Sequence, residues 1–124
     1  MFLLRLVYAA NVLVAGRIGL TSLFAPQTAA RTVFENAYPA TETVRLVGCL
    51  WLAIALLSAA GLWRPGPFAA VLVLQLIYKG TWLLVVGGPA WRAGQPVPTG
   101  MALFFVVWVV VLPFIIPWAA LFQK

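Results

Sequence analysis

Four apolar runs, each long enough to cross a lipid bilayer as a helix, occupy most of this 124-residue chain. They extend from Phe2 to Phe24, Val44 to Trp63, Phe68 to Val86 and Gly100 to Phe122. At 1.5 Å per residue the first reaches about 34 Å, enough for a hydrocarbon core of about 30 Å. A soluble fold would have to cover such runs with polar surface, and the chain has little: 65% of its residues are hydrophobic and 8% are charged. Soluble domains are roughly 45–50% apolar and about 25% charged. The pattern predicts one all-α transmembrane domain over residues 1–124, an integral membrane four-helix bundle.

Punctuation between the runs supports this division. Pro26 marks the end of the first, and the segment Pro26 to Thr43 is polar, contains both acids of the chain and carries Tyr38-Pro39 as a stop signal. A new helix is expected at Thr41 or Thr43. Arg5 before an apolar stretch also fits a signal peptide, but Arg17 interrupts the run and no small-x-small cleavage pattern precedes Pro26. Arg64-Pro65-Gly66-Pro67 forbids helix continuation, so the second and third runs are expected to form an antiparallel hairpin. Gly87-Gly88-Pro89 is read as closing the third run, with a loop from Pro89 to Thr99 beyond it. Pro113 and Pro117 each remove a backbone donor, so the last helix is expected to be kinked or broken there.

The net charge of +6 comes from eight Lys and Arg against Glu35 and Glu42, spread along the chain. Nucleic-acid proteins carry a basic patch or stripe, which is missing here, so the expected partner of these cations is the headgroup layer of the bilayer. Four spans place both termini on one side, with Arg5, Arg64 and Lys124, and leave Arg31, Arg45, Arg92 and both acids on the other. The terminal amine breaks this tie toward cytoplasmic termini, and the expected location is a bacterial inner membrane. Cys49 is the only cysteine and the chain has no His, so an intrachain disulfide, a Cys-x-x-Cys pair and His-based catalysis or metal ligation are excluded. Nucleophile, P-loop and dinucleotide motifs are also absent.

Arg17 and Lys79 each lie seven residues before the end of an apolar run, which on this topology puts them at one depth. A cation at membrane depth is costly and faces protein, water or a counter-charge. Arg45 opens the second run on the same side, near Glu35 and Glu42. Two readings follow. In one, the acids and cations pair and tie the first loop to the bundle, with the long side chains reaching the interface. In the other, Arg17, Arg45 and Lys79 form a site for a lipid phosphate, a carboxylate or the carbonyl of a quinone-like ligand.

Gln75, Tyr78, Lys79 and Trp82 follow i, i+3, i+4, i+7 spacing and form one polar, aromatic stripe on the third helix. The stripe is expected to face other helices, as interhelical glue or as a pocket wall in which Tyr78 and Trp82 supply ring surface and Lys79 the anchor. Tyr8, Asn11, Ala15 and Gly19 share one face of the first helix, with Arg17 opposite. Arg45, Gly48, Cys49, Leu52 and Ala59 are read as the packing face of the second.

The segment ETVRLVGCLWLAIALLSAAGLWRPGP, from Glu42 to Pro67, resembles the second helix and following turn of the DoxX-like small membrane proteins. In that family an acid precedes a Gly-containing apolar helix and a Gly-Leu-x-Arg-Pro turn. The opening FLLRLVYAANVLVAG is similar in style, and the resemblance covers about half the chain. It implies a four-helix bundle and association with quinone-linked oxidoreductase complexes. The Tyr78-Lys79 stripe and the Pro113 to Pro117 ending have no counterpart in that pattern, so no activity is transferred.

The leading expectation is a non-enzymatic accessory or interaction subunit of a larger membrane assembly, with a membrane-protein partner or a second copy. Its rival is a binding protein or carrier for an anionic amphipath, lipid or quinone at Arg17, Arg45, Gln75, Tyr78, Lys79 and Trp82. No other cofactor is evident.

Overall fold

The computed structural model describes residues 2–122, and Lys124, expected as a basic flank, lies outside them. Among the described residues every regular element is helical. Helix α1 spans Phe2–Phe24, and the short α2, Pro26–Thr32, follows after Ala25 with its proline at the first helical position, where the missing N–H is harmless. Helix α3 spans Glu42–Trp63 and begins after an extended Thr41. Helix α4 covers Ala70–Trp82, a π turn covers Leu83–Gly87, and α5 covers Gly88–Arg92. Helix α6 runs Thr99–Ile115, and a short α7 runs Trp118–Leu121.

Three of these helical stretches are long and apolar enough to cross a membrane: Phe2–Phe24, Glu42–Trp63 and Ala70–Arg92. The third corrects the expectation that Gly87-Gly88-Pro89 ends its run. The chain stays helical to Arg92 because the π turn absorbs the proline. The Gly88 N–H bonds back to the Leu83 carbonyl, five residues earlier, and Pro89 then falls in the first turn of α5, where no donor is needed. Gly88 permits this wide turn, since a Cβ there would lie 2.6 Å from the Leu83 oxygen. The expected loop shrinks to Ala93–Pro98, with Gly94 at φ +70.

Helix α6 passes through Pro113 and stops at Ile115. Ile116 is extended, as residues before proline prefer, and the indole N–H of Trp118 donates to the Pro113 carbonyl at 2.9 Å. At 17 residues α6 is shorter than the other three.

Packing is pairwise. Helices α1 and α3 lie antiparallel, with Tyr8 against Gly61, Asn11 beside Ser58 and Gly19 against Gly48. At Gly48 an added Cβ would stand 2.8 Å from both the Gly19 carbonyl and the Leu23 nitrogen, so the backbones touch. Tyr8 closes the far end by donating to the Pro65 carbonyl at 2.7 Å. The face of α1 is the expected one, Tyr8, Asn11, Ala15 and Gly19. The face of α3 is not: Gly48 is buried, but Arg45, Cys49 and Ala59 are exposed, and the buried stripe runs Val44, Gly48, Trp51, Ala55, Ser58. Ser58 meets Asn11 of α1 while Trp51 stacks on Phe34 and donates to the Tyr78 hydroxyl, and these partners set the rotation of α3 about its axis. Helix α4 packs on α6 through Tyr78 and Trp82, whose rings meet Phe105 edge-on with centroids 5.9 and 5.4 Å away. The α3–α4 hairpin is therefore a weaker contact than the α1–α3 and α4–α6 pairs.

Candidate functional site

The two pairs meet in a polar layer. Asn11 and Gln75 exchange hydrogen bonds, Asn11 Nδ2 donating to Gln75 Oε1 at 2.7 Å and Gln75 Nε2 donating back to Asn11 Oδ1 at 3.2 Å. Asn11 also donates to Ser58 Oγ at 3.3 Å, which joins α1, α3 and α4. One turn along α4 from Gln75 the indole of Trp51 donates to the Tyr78 hydroxyl at 2.9 Å. A further turn on, Trp82 Nε1 donates to the Tyr38 hydroxyl at 3.2 Å. These bonds satisfy groups that are costly to bury unpaired.

Lys79 makes no such bond. It is 3% exposed, and its Nζ has neither a hydrogen-bond partner nor a carboxylate within 4.0 Å among the described residues. Four rings surround it instead. The centroids of Phe104 and Phe105 lie 5.2 Å away, that of Trp108 5.4 Å and that of Tyr78 5.7 Å. Ring quadrupoles attract a cation by about 0.5–2 kcal/mol each, so four of them offset much of the cost of bringing an ion into a protein interior, but a ring face is a poor substitute for a hydrogen-bond acceptor. Trp108 also buries its indole N–H without an acceptor. Two donors in one cage thus lack an acceptor.

Two cavities adjoin the cage. A chamber of about 420 Å³ is lined by Asn11, Gln75, Lys79 and Glu35 among others, and a larger one of about 660 Å³ is lined almost wholly by apolar side chains from Phe34 to Phe105. Trp51, Tyr78, Met101 and Phe105 line both. These four side chains form the wall between the two spaces; the smaller carries the polar groups and the larger is apolar.

The stripe Gln75, Tyr78, Lys79 and Trp82 thus comes together around these spaces, with Gln75 and Lys79 in the polar chamber, Trp82 in the apolar one and Tyr78 on both. Arg17 and Arg45 do not join it. Arg17 is exposed, on the side of α1 away from α3 and α4. Arg45 is exposed too, its Nε donating to the Leu23 carbonyl at 3.1 Å, where it caps the end of α1. The expected convergence of three cations is replaced by one buried lysine. Of the acids, Glu42 pairs with Arg45 at 3.3 Å, an exposed i, i+3 contact worth little. Glu35 ties the first loop to the bundle as expected of it, but through a backbone amide: its Oε2 accepts from the Gly100 N–H at 2.7 Å in the first turn of α6.

Phe104, Phe105, Trp108 and Trp51 complete the site without having been expected there. The sequence carries a signal for the first three, an aromatic group at i, i+1 and i+4 in the last run, but gives no sign that it faces Lys79. Compared with known protein families, curated proteins and solved structures, the chain finds no match.

Proposed function

We propose that this protein is an integral membrane protein that binds an amphipathic ligand, a lipid or quinone, with its anionic or carbonyl head at Lys79 and its apolar body in the larger chamber. In this reading α6 also crosses the bilayer, and the four long helical stretches form a transmembrane bundle with both termini on one side. The observation that carries the proposal is the buried Lys79, whose amine faces a cavity and has no acceptor among the described residues. Small-molecule sites commonly pair an apolar wall with one or two placed polar groups, as these spaces do. The accessory-subunit reading rests on apolar helix faces and a missing catalytic set, and lipid alone accounts for such faces. A caged lysine beside a cavity has no such account.

Native mass spectrometry of the protein released from mild detergent tests this. Wild type should retain a lipid or quinone, and Lys79→Met should lower that retention by roughly tenfold or more, the loss of about 1.4 kcal/mol. Arg17→Met should leave it unchanged, because Arg17 points away from the cavity. Equal retention by wild type and Lys79→Met would end the proposal.

A further inference from the structure

We propose that the head selected by this site is zwitterionic, with its anionic group at Lys79 and a primary ammonium at Glu35, as in a phosphoethanolamine lipid. The inference rests on the binding reading above and specifies its ligand. Glu35 and Lys79 line the same half-open space of about 420 Å³, which has room for one small head. Lys79 forms the buried part of that wall and Glu35 the exposed part.

Glu35 is a placed carboxylate. It adopts φ 49 and the next residue, Asn36, φ 61, a left-handed pair that costs non-glycine residues energy and persists where surrounding contacts enforce it. The enforcing contacts are visible: Asn36 N–H donates to the Ala30 carbonyl at 2.7 Å, and Ala37 N–H to the Phe34 carbonyl at 2.8 Å. Phe34 itself is buried and stacks on Trp51 at 5.9 Å. The bond from Gly100 N–H to Oε2 fixes the far end and leaves Oε1 without a donor among the described residues. Glu42, the other acid, is engaged by Arg45 away from the chamber.

The chamber therefore offers one cation and one anion. A purely anionic head would gain Lys79 and be repelled by Glu35. A phosphoethanolamine head presents the opposite charges in turn, and its ammonium donates to Oε1 in a charge-assisted bond. A quaternary ammonium has no N–H for that bond, and the ring faces that would otherwise take it are already turned to Lys79. One of its two acyl chains then lies in the apolar chamber on the other side of Tyr78 and Met101, which line both spaces.

Native mass spectrometry of the full chain with phosphatidylethanolamine, phosphatidylcholine and phosphatidylglycerol of identical acyl chains decides it. Wild type should retain phosphatidylethanolamine over both others, by about tenfold for one charge-assisted contact. Glu35→Gln should abolish the preference over phosphatidylglycerol while keeping phosphatidylglycerol bound, and Glu35→Asp should keep part of it. The inference is overturned if wild type holds phosphatidylglycerol as well as phosphatidylethanolamine, or if Glu35→Gln leaves the preference intact. It is also overturned if Glu35→Gln loses all three lipids together, which is the signature of a merely structural carboxylate. Lys79→Met, which should lose all three, reports on the binding reading separately.

Discussion

Arg17 and Lys79 look alike in the sequence, each a lone cation seven residues from the end of an apolar run, yet one is exposed and the other is caged. Rotation about the helix axis separates them. Arg17 lies six residues past Asn11, which puts it on the far side of α1, whereas Lys79 lies one turn past Gln75, on the same face. Asn11 and Gln75 set that rotation by bonding to each other across α1 and α4. Removing one partner leaves the other buried and unpaired, while removing both exchanges a polar contact for an apolar one. Asn11→Leu should therefore destabilise the protein by about 1–2 kcal/mol. The double variant Asn11→Leu with Gln75→Leu should recover most of that loss. Thermal unfolding in detergent of both singles and the double reads this coupling, and simple additivity would mean that the pair acts independently.

At the scale of elements, glycine decides how close the helices come. Gly48→Ala would drive a methyl group into the Gly19 carbonyl and the Leu23 nitrogen, both backbone atoms that have no rotamer to yield. Melting temperature should fall, by an amount corresponding to about 1–3 kcal/mol of overpacking, whereas Gly80→Ala, with open space around it, should be neutral or slightly stabilising. Similar behaviour of the two variants would contradict the α1–α3 contact. Gly88→Ala tests the π turn: its Cβ would collide with the Leu83 carbonyl, so amide exchange should rise from Leu83 to Arg92 and stay unchanged in α1 and α3. Helix α1 was legible in the sequence to its last residue, and so was its face, because Asn11 and Gly19 stand out among apolar neighbours. The face of α3 was not. Nearly every residue from Leu46 to Leu57 is apolar, so hydrophobicity has no preferred side there, and distant partners chose it: Asn11 for Ser58, Phe34 and Tyr78 for Trp51. The end of the third run was misread for another reason. A proline usually stops a helix, but one residue of extra winding ahead of it removes the need for its N–H.

For the whole molecule, ligand binding and stability should be linked. A ligand that binds only the folded bundle stabilises it by about 2.7 kcal/mol at one hundred times its dissociation constant. Phosphatidylethanolamine should therefore raise the melting temperature of wild type and leave that of Lys79→Met unmoved, and an equal shift in both would place the lipid elsewhere. The sequence by itself determined that the chain is helical, that its apolar runs suit a bilayer, and that Gln75, Tyr78, Lys79 and Trp82 share a face. Length, hydropathy and helical period are properties of consecutive residues, and each of those conclusions needs nothing more. Of the four runs, three fold into helical stretches long enough to span. Which cation is buried, which rings enclose it and where the acids go depend on the rotation and spacing of helices distant in the chain. Those are set by backbone contact at Gly19 and Gly48, by the Asn11–Gln75 exchange and by the Glu35 bond to Gly100, pairings between residues far apart that no local pattern encodes. Tertiary structure therefore turned a supposed layer of three cations into one lysine, four rings and two adjoining cavities.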